Sequence, residues 1–161
     1  MAMPTSLDDA DRSLLDLLQR DARAPLEALA EESGLSVATV QRRVKRLRKE
    51  GVIVSEVAVL DPNAVGLGMT FVVMVELERE RLEQLDAFRA SAIGEPLVQQ
   101  CYYVTGDADF CLICVARDMA EFEALTHRLF FENANVRRFR TSVVMGRDKV
   151  GLAVPCARVQ L

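Results

Sequence analysis

The chain has 161 residues, half of them hydrophobic and 27% charged, with a formal net charge of −4. That size accommodates one domain or a small module beside a larger one, and that composition excludes a disordered chain. The longest uncharged run, Pro62 to Val75, is shorter than the roughly 20 residues of a membrane-crossing helix. Met1-Ala2-Met3-Pro4 also lacks the basic-then-apolar pattern of a secretory leader, so the expectation is a cytoplasmic protein that touches no membrane.

Residues 1–60 carry nine basic and ten acidic groups, and the signs are segregated along them. Ser6, followed by Asp8, Asp9 and Asp11, reads as an N-cap with acids at the positive end of a first helix. Leu14, Leu15, Leu17 and Leu18 supply its apolar face. Pro25 suits the first turn of a second helix bearing Leu26, Leu29 and Ala30, and Gly34 suits its left-handed stop. Ser36 caps a third helix, Val37 to about Lys49, which Gly51 ends. Val52 to Leu60 alternates as a β-branched strand, and Asp61–Gly68 reads as a linker.

From Met69 the pattern becomes strand (69–77), helix (80–93), two strands (97–104 and 110–116), a helix capped by Asp118, and a last strand (136–145). This βαββαβ order is the split βαβ arrangement of a ferredoxin-like domain. The fold class expected is therefore α+β, with a helical module over 1–60, a linker at 61–68 and a ferredoxin-like domain over 69–161. Thr70–Val75 is apolar at consecutive positions, the pattern of a strand covered on both faces.

Chemistry concentrates in the third helix. At 100° per residue Val40, Val44 and Leu47 cluster toward the other two helices. Ala38, Thr39, Arg42, Lys45, Arg46 and Lys49 then point away, with Gln41 and Arg43 on the flanks. Two helices joined by a short Gly-containing turn, the second basic on its free side, form a helix-turn-helix that fits the major groove. A local basic stripe governs phosphate attraction more than the net charge does, because salt screens distant charges beyond ~10 Å. The expected partner is double-stranded DNA, met by Ser36, Ala38, Thr39, Gln41, Arg42, Arg43, Lys45, Arg46 and Lys49.

Leu7-Asp8-x-x-Asp11, with Leu35-Ser36-x-x-x-Val40-x-Arg42-Arg43-Val44-x-Arg46-Leu47-x-x-x-Gly51-Val52-Ile53, closely resembles the DNA-binding half of the Lrp/AsnC (feast/famine) transcriptional regulators. The segment Cys101 to Phe110 and the end motif Thr141-x-Val143-Val144-Met145, Lys149 and Pro155 resemble that family's ligand-sensing domain. The resemblance spans roughly residues 6–155. It implies a winged helix-turn-helix, a hinge strand, and a ferredoxin-like domain that binds an amino acid or related metabolite. It also implies homodimers that gather into octamers or other higher oligomers.

Taken alone, Thr105-Gly106-Asp107-Ala108-Asp109 reads as a hairpin turn. The resemblance makes it part of an effector pocket at the contact between dimers, with Gly106 allowing close backbone approach and Asp109 pairing with a ligand ammonium. Thr105 and Asp107 would flank it, Thr141 and Ser142 would join from the last strand, and Tyr103 and Met119 would form apolar walls.

No cofactor, metal or catalytic residue is expected. Cys111 and Cys114, three apart on a strand, leave on opposite faces and share no metal. The siroheme decarboxylases look similar to this regulator family, but that chemistry calls for histidines around a tetrapyrrole and His127 is the only one in the chain. An architectural DNA-binding protein without an effector would use the same DNA-facing residues, so the sequence keeps that alternative open.

Overall fold

The computed structural model describes residues 6–79 and 81–156. The chain divides into two compact units, one of residues 1–58 with 150–161 and the other of Val59–Lys149. Among the described residues, 150–156 group with the N-terminal unit, whereas the expected ferredoxin-like domain ran to 161.

In the first unit, α1 (Asp9–Arg20), α2 (Leu26–Ser33) and α3 (Val37–Lys49) enclose Leu14, Leu29, Ala30, Val40 and Val44. Asp8, rather than Ser6, caps α1, accepting from the Asp11 backbone N–H while the Asp11 carboxylate accepts from the Asp8 N–H. This reciprocal box satisfies two orphan donors that one serine two residues earlier cannot reach. Gly34 stops α2 at φ 69°, a left-handed conformation open to glycine. Ser36 caps α3, its hydroxyl accepting from the Thr39 N–H.

The expected strand 52–60 does not form: Val52 and Ile53 turn after α3, their N–H groups donating to Leu47 O, and the residues that follow join no ladder among the described residues. Val54 and Val59 are 88% and 91% exposed. The apolar alternation is present, but among the described residues no strand pairs with it.

In the second unit, β1 (Met69–Leu77), β2 (Val98–Tyr103), β3 (Phe110–Ala116) and β4 (Val136–Val143) form one sheet in the order β2-β3-β1-β4. All neighbours are antiparallel, the topology expected of the split βαβ arrangement. α4 (Leu82–Gly94) and α5 (Met119–Thr126) connect the strands, and Glu80, expected to begin the first of these helices, lies outside the described residues. A π-helical turn, His127–Phe131, extends α5.

The core lies on one side of the sheet. Phe71, Val73 and Val75 of β1 and Phe110, Leu112 and Cys114 of β3 pack with Phe88 of α4 and with Phe122 and Leu125 of α5. The opposite face shows Val72 and Met74 beside Cys111 and Ile113, all half-buried. Cys111 and Cys114 do leave on opposite faces, and burial pushes the Cys114 thiol up to about 12, so it stays protonated at neutral pH.

Candidate DNA-binding and effector sites

Burial splits the cations of α3 into two groups. Val40, Val44 and Leu47 are buried toward α1 and α2. Ala38, Gln41, Arg42, Lys45 and Lys49 are all exposed, and at 100° per residue they fall within an arc of about 100° on the far side. None of the four polar side chains in that arc has a side-chain hydrogen bond or ion pair among the described residues. Their donors are thus available to base edges and phosphates.

Arg43 and Arg46 do something else. Asp11 is 1% exposed, and its carboxylate takes Arg43 Nη1 at 2.8 Å and Arg46 Nη2 at 2.5 Å. Arg43 Nη1 also donates to both oxygens of Asp8, at 2.9 and 2.8 Å. Burial alone pushes the Asp11 carboxyl upward, but hydrogen bonds from Arg43, Arg46 and the Asp8 backbone outweigh it and hold the group below the usual carboxylate range. The same bonds raise both guanidinium values. These two arginines brace α3 against α1, which corrects the expectation that they stand free among the DNA-facing groups. A buried carboxylate must be paired, and they are the cations in reach. Thr39 is also engaged, its hydroxyl 2.8 Å from that of Ser36, so these two shape the start of the helix. Arg48, exposed on the flank, pairs with Glu56 at 2.7 Å.

The expected effector residues do not converge in one protomer. Thr105, Gly106 and Asp107 are exposed at the tip of the β2–β3 loop, with Gly106 at φ 116°. Asp109 is half-buried, and its Oδ2 accepts from the Leu77 N–H at 2.7 Å. The Asp109 N–H donates to Val75 O, and its carbonyl accepts from Val104. One carboxylate oxygen therefore ties the loop to β1 and only the other is left for a ligand. Tyr103 leans on Phe110 with ring centroids 5.4 Å apart.

Met119 lies at the far end of the sheet. β3 carries the chain from Phe110, beside the loop, to Ala116, ahead of α5, and six residue steps at ~3.3 Å put ~20 Å between them. Within one protomer it therefore does not approach the loop. Thr141 pairs with Val73 on the helix-bearing side, whereas Ser142 pairs with Val72 on the open face, so neighbours on β4 point to different sides. An open cavity of about 600 Å³ lies between the Glu95–Leu97 turn, Arg117 and α5, edged by the pairs Arg128–Glu95 and Arg117–Glu121. None of the expected effector residues lines it.

Polar positions of α1 escaped the sequence reading. Arg12, Asp16 and Gln19 bind the backbone of Val154 and Cys156. Their spacing, one helical face at i, i+4 and i+7, was the available signal.

Residues 7–54 match the model of a winged helix-turn-helix DNA-binding domain, and residues 70–151 match that of the Lrp/AsnC ligand binding domain. An HTH-type transcriptional regulator of Sinorhizobium fredii is 49% identical over 149 residues, covering 92% of this chain and 88% of its own length. The structure of a Neisseria meningitidis transcriptional regulator in complex with L-Met superposes with a TM-score of 0.87 at 28% identity, covering 93% of this chain and 97% of that one. The feast or famine regulatory protein of M. tuberculosis complexed with L-methionine gives 0.81 at 33% identity, covering 90% and 96%.

Proposed function

The chain belongs to the Lrp/AsnC family of winged helix-turn-helix transcriptional regulators, and from that premise we propose how its own residues read DNA and sense an effector. α3 enters the major groove along Ala38, Gln41, Arg42, Lys45 and Lys49. The observation that carries this assignment is the unpaired, exposed arc those residues share, opposite the buried Val40, Val44 and Leu47. Ala38, Gln41 and Arg42, on the first half of the helix, meet base edges; Lys45 and Lys49 meet phosphates. Arg43 and Arg46 keep α3 at its angle on α1.

The effector is an amino acid or a close relative, and L-methionine in two related structures makes it the first ligand to try. The loop Thr105–Asp109 receives it, the free oxygen of Asp109 and the exposed Asp107 meeting the ammonium. Because Thr141 and Ser142 point to opposite sides and Met119 lies far away, the pocket is completed by a second copy of the chain.

Two features support a dimer or larger assembly: the half-buried apolar face formed by Val72, Met74, Cys111 and Ile113, and the exposed Val54, Val57 and Val59 of a segment that joins no ladder among the described residues. Both await a partner surface. The protein acts as a regulator and not as an enzyme, in the cytoplasm where its DNA resides. Among the described residues no helix is long and apolar enough to cross a membrane.

Titration of duplex DNA at several salt concentrations tests the DNA assignment. Lys49→Ala should weaken all duplexes alike and reduce the salt slope by about 1, while Arg42→Ala should lose about 1–3 kcal/mol of discrimination between sequences. Wild-type profiles from both variants would remove α3 from the groove. Calorimetry against the twenty amino acids, beginning with L-methionine, tests the sensor; heat with one of them must be matched by a shift in DNA affinity.

A further inference from the structure

The C-terminal segment is held in an unusual way. Its contacts with α1 are mostly to backbone atoms: Val154 N–H donates to Gln19 Oε1 at 2.7 Å, and Gln19 Nε2 returns a bond to Val154 O at 2.9 Å and reaches the Cys156 Sγ at 3.3 Å. Two residues on, Cys156 N–H donates to Asp16 Oδ1 at 3.3 Å, and Arg12 Nη1 donates to Cys156 O at 2.9 Å. Alternate residues of an extended segment are thus gripped as a neighbouring strand would grip them. The gripping groups come from one polar face of a helix.

The side chains of this segment contribute little. Val150, Leu152 and Val154 face solvent, Leu152 at 79% exposure. Five hydrogen bonds of modest net strength, one of them to a thiol, oppose the ordering of seven residues, with little apolar burial to lock them. Such a balance lies near neutral, which is what a releasable contact requires.

The position of the grip gives it a consequence. Asp8 and Asp11, holding Arg43 and Arg46 of α3, lie on the face of α1 adjoining the one that carries Arg12, Asp16 and Gln19. The gripped segment itself continues, through residues 144–149, from β4 of the effector-binding unit. We propose that the polar face Arg12–Asp16–Gln19 of α1 is a docking surface for the chain's own residues 150–156, a releasable latch through which the effector-binding unit sets the DNA affinity of the N-terminal unit. Docking steadies α1, and α1 steadies α3. The proposal rests on the DNA-binding role of α3 but not on the identity of the effector.

Full-length variants altered from either side test it. Gln19→Ala with Asp16→Ala removes the grip from the helix; Val154→Pro removes the gripped N–H without touching α1. Val154→Ser leaves the backbone bonds in place and serves as the control. Hydrogen exchange should show the Val154 and Cys156 amides of the wild-type chain slowed about tenfold or more, and Cys156 released in both disrupting variants. On a duplex selected by the wild-type protein from a random pool, both disrupting variants should raise the dissociation constant about fivefold, with Val154→Ser unchanged. Unprotected amides in the wild-type chain, or equal DNA affinity in all four proteins, overturns the latch. A wild-type chain that binds no duplex defeats the DNA-binding reading itself, a separate outcome from equal binding by all.

Discussion

Asp11 shows how one side chain fixes the geometry of a reading head. Its carboxylate closes the capping box of α1 with Asp8, then takes Arg43 and Arg46 from α3. Removing it leaves Arg46 without its carboxylate, Arg43 with Asp8 alone, and the Asp8 N–H without its acceptor. Asp11→Ala should therefore lower stability by about 2 kcal/mol, read as a shift in the urea midpoint of the N-terminal unit; an unchanged midpoint would show the brace to be idle. Acid should act in the same direction. The folded value of Asp11 lies below its ordinary one, so its stabilisation is fully present above about pH 4 and is lost as pH falls through the lowered folded value. Asp11→Ala should abolish that part of the acid sensitivity.

Among the elements, the β2–β3 loop is where the fold and the proposed effector contact call on the same carboxylate. Asp109 Oδ2 accepts from the Leu77 N–H, so the residue anchors the loop before any ligand arrives. Asp109→Asn retains an oxygen for that bond and removes the charge, whereas Asp109→Ala removes both. Stability should be near wild type for the first and lower by about 1 kcal/mol for the second, while both lose the calorimetric response to the amino acid. A normal ligand response from Asp109→Asn would move the ammonium contact to Asp107. Gly106 at φ 116° marks the turn that lets this loop close, since a side chain is strained there even with open space around it.

At the scale of the molecule, the open face of the sheet matters most. Ile113 and Met74 are half-buried on the side without helices, beside Val72 and Cys111. Apolar residues in that number on the sheet face opposite α4 and α5 are the proposed interface between copies of the chain. Ile113→Lys places a charge at its centre without entering the helix-side core, so sedimentation should report a smaller assembly while circular dichroism stays that of the wild-type chain. An unchanged mass would assign assembly to another surface. Because two recognition helices must address half-sites about one helical turn apart, the same variant should also lose affinity for duplex DNA.

Local patterns in the chain determined most of the elements. α3 and β1 begin and end where capping and the apolar run of Thr70–Val75 predict, because Ser36, Gly51 and that run act within a few residues of themselves. The buried stripe Val40, Val44 and Leu47 was legible for the same reason. What remained hidden were the pairings between distant parts of the chain. Which cations of α3 are spent on α1 depends on Asp8 and Asp11, more than thirty residues away. Whether Met119 can reach the loop depends on the length of β3, and where the last residues dock depends on a helix near the beginning of the chain. Periodicity assigns a side chain to a face, but only the packed fold decides what lies opposite that face and which charges remain for DNA.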